Sequence, residues 1–136
     1  MPISDLDELL RSMRPRLNEG SYVFISVSAD ADTSSLRPIA TMIEDEGLSL
    51  VVEESKIDAA EFQILFRAAW ITLTVNSDLN AVGLTAAIAS ALASEGISCN
   101  VVAGAQHDHL FVPIDSAQDV MAVLAKLQGR ADSRFN

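Results

Sequence analysis

Three short stretches hold the residues with most chemical potential. His107-Asp108-His109 is the one constellation that resembles a catalytic site. On an extended strand, alternate residues share a face, so both imidazoles would present to one metal ion while Asp108 points away. The spacing assigns no third or fourth ligand. The motif also falls at a turn, where polar side chains bond the backbone, and that structural reading is favoured. Asn76, Asp78 and Gly83 bracket the second stretch. A glycine lets a ligand approach the main chain, and the free N–H groups opening a helix suit the carboxylate of an amino acid. A capped turn, in which Asn76 and Asp78 bond local amides, explains the same residues. The third stretch, Asp30, Asp32, Ser34 and Ser35, offers oxygens to a cation or serves as a solvated helix start. Asn100 is polar within an apolar run and faces a ligand, an edge partner or solvent.

Composition narrows the setting for these residues. The chain has 136 residues, of which 49% are apolar, and a formal charge of -10. A core of Val, Ile, Leu and Ala is available at that length. Nucleic acid is not expected as a partner, because phosphate contacts need a basic face and no Lys/Arg cluster exists. The acidity suits an amine-bearing ligand or simply solubility. Residues 1–20 have no signal-peptide core, and no run is long enough to cross a bilayer, so no membrane association is expected. The single cysteine, Cys99, reads as a buried reduced thiol, which predicts a cytoplasmic protein.

The elements that must position these residues show an internal repeat. Glu46-Gly47-Leu48-Ser49-Leu50-Val51-Val52 is echoed by Glu95-Gly96-Ile97-Ser98-Cys99-Asn100-Val101, an offset of 49. At the same offset Ile39 falls on Ile88, Ala40 on Ala89, Ile43 on Leu92 and Phe62 on Phe111. Two copies are too few for a solenoid, so a duplicated supersecondary unit is expected.

In the second copy, residues 70–76 alternate, with Ile71, Leu73 and Val75 on one face of a strand. Residues 79–95 predict a helix with Leu84, Ile88, Ala91 and Leu92 inward, ended by Gly96. Strands at 98–103 and 109–113 follow, then a last helix, capped by Asp115 or Ser116, with Ala117, Val120, Met121, Leu124 and Leu127 on its apolar stripe. The first copy predicts strands at 22–28 and 48–54, a helix at 36–46 with Pro38 in its first turn, and a short strand near 62–66. It lacks a second helix. The N-terminal helix, residues 4–14 with Ser4 as cap and Leu6, Leu9, Leu10 and Met13 at helical spacing, is expected to take that place. The expected modules are therefore 1–67 and 68–129, with a flexible tail at 130–136.

A β-α-β-β-α order predicts an α+β, ferredoxin-like fold of antiparallel sheets with helices packed on one face. The stretches Ile71-Thr72-Leu73-Thr74-Val75-Asn76-Ser77 through Val82-Gly83-Leu84-Thr85, and Glu95-Gly96-Ile97-Ser98-Cys99-Asn100-Val101-Val102, resemble an ACT domain. The turn His107-Asp108-His109-Leu110-Phe111-Val112-Pro113 adds to the likeness. The chain is similar to a small bacterial family of tandem ACT-like proteins related to the regulatory regions of aspartate kinases. The first copy departs from the pattern, having no loop glycine between Ser28 and Leu36. The resemblance implies a regulatory sensor that binds an amino acid or other small molecule at module interfaces, as a homodimer, with neither catalysis nor cofactor. It places the ligand against Asn76, Asp78, Val82, Gly83, Leu84, Thr85 and Asn100. Two other readings stand beside it: a metal-dependent enzyme using His107 and His109, and a structural module that binds partners through its sheet edge.

Overall fold

The computed structural model describes residues 5–133. The chain forms two compact units: a middle unit, Glu19–Ala68, and a terminal unit built from the residues up to Asn18 together with those from Ala69 onward.

The terminal unit contains helix α1 (Leu6–Arg11) and strand β1 (Pro15–Leu17). These are joined from the other end of the chain by helix α2 (Leu84–Ser94), strands β6 (Asn100–Ala103) and β7 (Asp108–Pro113), and helix α3 (Ala117–Ser133). Strand β5 (Phe66–Leu73) gives its second half to this unit, where Ile71–Leu73 pair antiparallel with Leu17–Pro15 of β1. Beyond β5 the order is β7 then β6, and β6 pairs antiparallel with β7. The period-two alternation expected from the sequence is met: Ile71, Leu73 and Val75 all enter one core with Leu84, Ile88 and Leu92 of α2 and Val120 and Leu124 of α3. Ala117, Met121 and Leu127 pack at its margin, completing the predicted stripe of α3.

Helix α1 joins this core rather than completing the first module. Leu9 and Met13 are fully buried in it, and the Gln128 side chain donates to the Arg11 carbonyl at 2.8 Å. A helix of six residues does not hold by propensity alone. Burying Leu9, Leu10 and Met13, at roughly 1.5–3 kcal/mol each, outweighs that deficit and ties α1 to the unit that buries them. Its N-cap is Asp5, whose carboxylate accepts the Glu8 N–H at 3.0 Å; Ser4 lies outside the described residues. At the other end α3 continues to Ser133 with Ala131 buried. Residues 130–133, expected in a flexible tail, are therefore helical, and 134–136 lie outside the described residues.

The middle unit contains β2 (Tyr22–Val27), β3 (Ala40–Glu44), β4 (Gly47–Glu53) and the first half of β5. Its strand order is β3-β4-β2-β5, antiparallel throughout. Val23, Ile25, Leu50 and Val52 form its core, covered by Leu36, Ile57, Phe62 and Ile64 from irregular segments. The middle unit has no α-helix, all of its residues being described. The helix expected at 36–46 is instead a 3-10 turn, Ser34–Leu36, a left-handed Arg37 and the strand β3. Pro38 disfavours helical backbone at Arg37, and β-branched Ile39, Thr41 and Ile43 at alternate positions favour a pleated strand. Glu44 and Gly47 face one another across the turn, which makes β3 and β4 a hairpin.

The repeated Glu-Gly pair thus has two structural meanings. At Glu95-Gly96 it ends α2: Gly96 has φ +72, its N–H bonds Ala93 O, and the Ile97 N–H bonds Leu92 O. That is the double bond of a Schellman cap. At Glu46-Gly47 it closes a hairpin turn and opens β4, and Gly47 has φ +147.

Candidate functional site

The glycine-bearing loop leads into α2 later than the sequence predicts. Its first helical residue is Leu84, because Gly83 adopts φ +104, a conformation that stops the helix from reaching further back. No side chain caps this end, and the first intrahelical bond runs from Ala87 N to Gly83 O. The N–H groups of the first turn therefore have no intrahelical partner.

In front of that turn lies a recess of about 130 Å³, lined by Ser77, Asp78, Leu79, Ala81, Gly83, Leu84, Thr85, Ala103 and Asp108. Four of the seven predicted site residues meet there: Asp78, Gly83, Leu84 and Thr85. Asp78 also shapes the loop, its carboxylate accepting the Asn80 N–H at 2.8 Å. Asn76 is half-buried and outside the lining, and its Oδ1 is sealed from solvent without a hydrogen-bond partner. Val82 is 84% exposed and outside the lining. Asn100 is exposed on β6, opposite Phe111, and also outside it.

Ser77, Ala103 and Asp108 join the recess without a signal in the sequence. The Ser77 hydroxyl donates to Asp108 at 3.0 Å, across 31 positions of chain, and no local spacing encodes such a contact. Asp108 is held against the loop because β7 begins there, and a tight connection from β6 precedes it. A Cβ on Gly104 would lie 2.9 Å from the His107 carbonyl. The site offers two carboxylates, Asp78 and Asp108, in the same recess as the open end of α2.

The two imidazoles serve separate neighbours. His107 Nδ1 lies 3.3 Å from the Val75 carbonyl. His109 Nδ1 accepts the Trp70 indole N–H at 3.0 Å and lies 3.3 Å from the Thr72 hydroxyl. The Asn18 amide donates to Thr72 Oγ1 and to the Trp70 carbonyl, and Trp70 stacks on Phe111 at 6.2 Å. Burial, with His107 and Arg16 nearby, holds the His109 imidazole below the ordinary histidine value against the pull of Asp108. Ser77, Asp108 and His107 adjoin one another in the chain's fold, but the serine donates to the carboxylate and His107 turns to a backbone carbonyl, so no nucleophile–base pair forms. Among the described residues, no group of three or more His, Cys, Asp or Glu side chains is placed to hold a metal ion. The Cys99 thiol is pushed up to about 11 by burial, which leaves little thiolate at neutral pH.

A strand, a glycine loop, a helix and two further antiparallel strands around this recess define an α+β, ferredoxin-like fold. Residues 1–69 and residues 66–126 each match the family described as the ACT domain, and the chain belongs to that family as a tandem. ACT domains are typically small-molecule-binding regulatory domains. A Vibrio cholerae protein of unknown function, described as a possible transport protein, is 48% identical, with a TM-score of 0.81 over 90% of this chain and 95% of its own. Aspartokinase III of E. coli, in complex with aspartate and ADP, has a TM-score of 0.63 at 12% identity, over 83% of this chain and 32% of that one. The regulatory subunit of aspartate kinase from Thermus flavus has a TM-score of 0.57 at 10% identity, over 83% of this chain and 95% of that one. The two kinase likenesses show the fold alone. Comparison with curated proteins found no match. No helix among the described residues is long and apolar enough to cross a membrane.

Proposed function

We propose that this chain is a non-catalytic regulatory sensor that binds an amino acid at the recess before α2, and that it works as a homodimer in the cytoplasm. One observation carries the reading: Asp78 and Asp108 line the same recess as the uncapped end of α2. The N–H groups of Leu84, Thr85 and Ala86 suit an α-carboxylate, and the two aspartates suit an α-ammonium. An amino acid carries both charges on one carbon, which fits a recess of about 130 Å³ better than a larger ligand does. With one cysteine, Cys99, the chain makes no internal disulfide, which suits a reducing compartment.

The test is a thermal-shift screen of the twenty amino acids. A ligand at a hundred times its dissociation constant adds about 2.7 kcal/mol to the native state. For a chain of this size that is a rise of roughly 8 °C. Gly83→Val is a poor control, since a Cβ there meets the Leu6 side chain at 3.1 Å at a positive φ. Asp78→Asn is preferable: it keeps the acceptor for the Asn80 N–H and removes the charge. The expected result is one amino acid that stabilises the wild type and binds Asp78→Asn about tenfold more weakly, so that at the same concentration its stabilisation is roughly halved. Stabilisation by none of the twenty sinks the reading.

A further inference from the structure

The terminal unit backs its strands with α2 and α3, whereas the middle unit covers its core with irregular chain. Two segments do the covering. Residues 28–36 end in the 3-10 turn Ser34–Leu36, and residues 54–65 open with the 3-10 turn Glu54–Lys56. Between them lies a cavity of about 370 Å³, nearly three times the recess before α2. Protein interiors are close-packed and leave few voids larger than a water molecule. A concave apolar floor under a few polar groups is how small-molecule sites are built.

The cavity has that make-up. Val27, Leu36, Ile57 and Phe62 line it, each partly buried and packed against the core of the unit. Asp32, Lys56, Asp58 and Glu61 also line it, and all four are exposed. Three carboxylates against one ammonium make its mouth net negative. Two of the carboxylates are fixed by the backbone. Asp32 Oδ1 accepts the Ser34 N–H at 3.0 Å, and Asp58 Oδ1 accepts the Ala60 N–H at 2.9 Å. A group already held in place loses less freedom when a ligand meets it.

We propose that this cavity is a second ligand site and that it takes an arylalkylamine, a primary ammonium joined by a short chain to one aromatic ring. The ring packs on Phe62 and the aliphatic floor. The ammonium meets the carboxylates in charge-assisted hydrogen bonds. A ligand that carries a carboxylate, an amino acid included, faces the same three acidic groups with Lys56 alone to offset them. The site goes beyond the amino-acid reading, because the two cavities share no lining residue and belong to different units.

Equilibrium dialysis of phenethylamine against the full chain at low salt tests this. The expected dissociation constant is about 100 µM. Asp58→Asn combined with Glu61→Gln keeps an acceptor for the Ala60 N–H and removes two charges; it should weaken binding about tenfold. Phe62→Leu keeps the apolar cover and removes the ring; it should weaken binding about fivefold. Asp78→Asn should leave the affinity unchanged. 3-Phenylpropionate, the same body with a carboxylate in place of the amine, is expected not to bind. No retention of phenethylamine at millimolar concentration overturns the site, and so does unchanged affinity in the double variant. Equal retention of 3-phenylpropionate overturns the amine. Loss of binding in Asp78→Asn moves the amine to the recess before α2 and overturns the second site. Stabilisation by none of the twenty amino acids bears on that recess alone.

Discussion

The imidazole of His109 accepts the Trp70 indole N–H through Nδ1, and an imidazolium has no lone pair there to do so. Burial comes first in holding this group below its ordinary value, with His107 and Arg16 adding to it and Asp108 opposing. The unfolded chain then binds a proton that the folded imidazole lacks, so stability rises with pH across the interval between the two values. The contribution is fully present above the ordinary histidine value near 6.5 and is lost as pH falls from there through the lowered folded value. Urea unfolding at successive pH values between about 8 and 5 should show that fall, accompanied by a change in Trp70 fluorescence. In His109→Asn, which keeps an acceptor of similar reach but cannot titrate, the fall should flatten. An unchanged slope in that variant would assign the titration to another group. At this scale the sequence located the loop glycine, Asp78 and Thr85, because they adjoin a strand and a helix that local patterning defines. It did not locate Ser77, Ala103 or the position of Asp108 in the recess, because these reach it through pairings between distant strands.

Gly47 and Gly96 occupy equivalent places in the repeat and different places in the structure, and this allows a test at the scale of the element. A Cβ on Gly47 would stand 2.4 Å from the Val27 carbonyl, at φ +147, so both the backbone and the neighbouring strand resist it. A Cβ on Gly96 meets nothing within 4 Å and faces only the left-handed backbone penalty. Gly47→Ala should therefore lower stability by about 2–4 kcal/mol. Gly96→Ala should lower it by about 1 kcal/mol. Denaturant midpoints measure both, and equal losses would contradict the hairpin geometry. The same comparison explains why residues 36–46 do not form a helix. Apolar residues at 36, 39, 40 and 43 fit a helical stripe, but the β-branched run and Pro38 fit a strand better, and β4 supplies the partner that decides. Where no such competition exists, as in 84–94 and 117–133, helical periodicity alone identified the element and its buried face.

At the scale of the molecule, charge is the leading global term. The formal charge is -10, and the salt bridge from Arg67 to Glu54, at 2.9 Å, is partly open to solvent. A net charge of that size repels itself in the compact state. Raising salt from about 10 mM to about 1 M shortens the screening length from roughly 30 to 3 Å, and the melting temperature should rise by a few degrees. A fall would mean that local ion pairs outweigh the global repulsion. The tandem ACT composition, the α+β class, the two long helices and the strands expected at 22–28, 48–54, 70–76, 98–103 and 109–113 were legible in the sequence, because each depends on periodicities that run within one element. The strand expected near 62–66 is irregular chain until β5 begins at Phe66, and the strand Ala40–Glu44, expected as a helix, was not legible. The placement of α1 was not, since an amphipathic helix of six residues is compatible with any apolar groove of matching size; only the burial of Leu9, Leu10 and Met13 beside α3 assigned it to the terminal unit. The recess was legible in half. Its loop and helix end are local, while the second carboxylate arrives from β7, and which distant strand lies beside a loop is settled by tertiary packing alone.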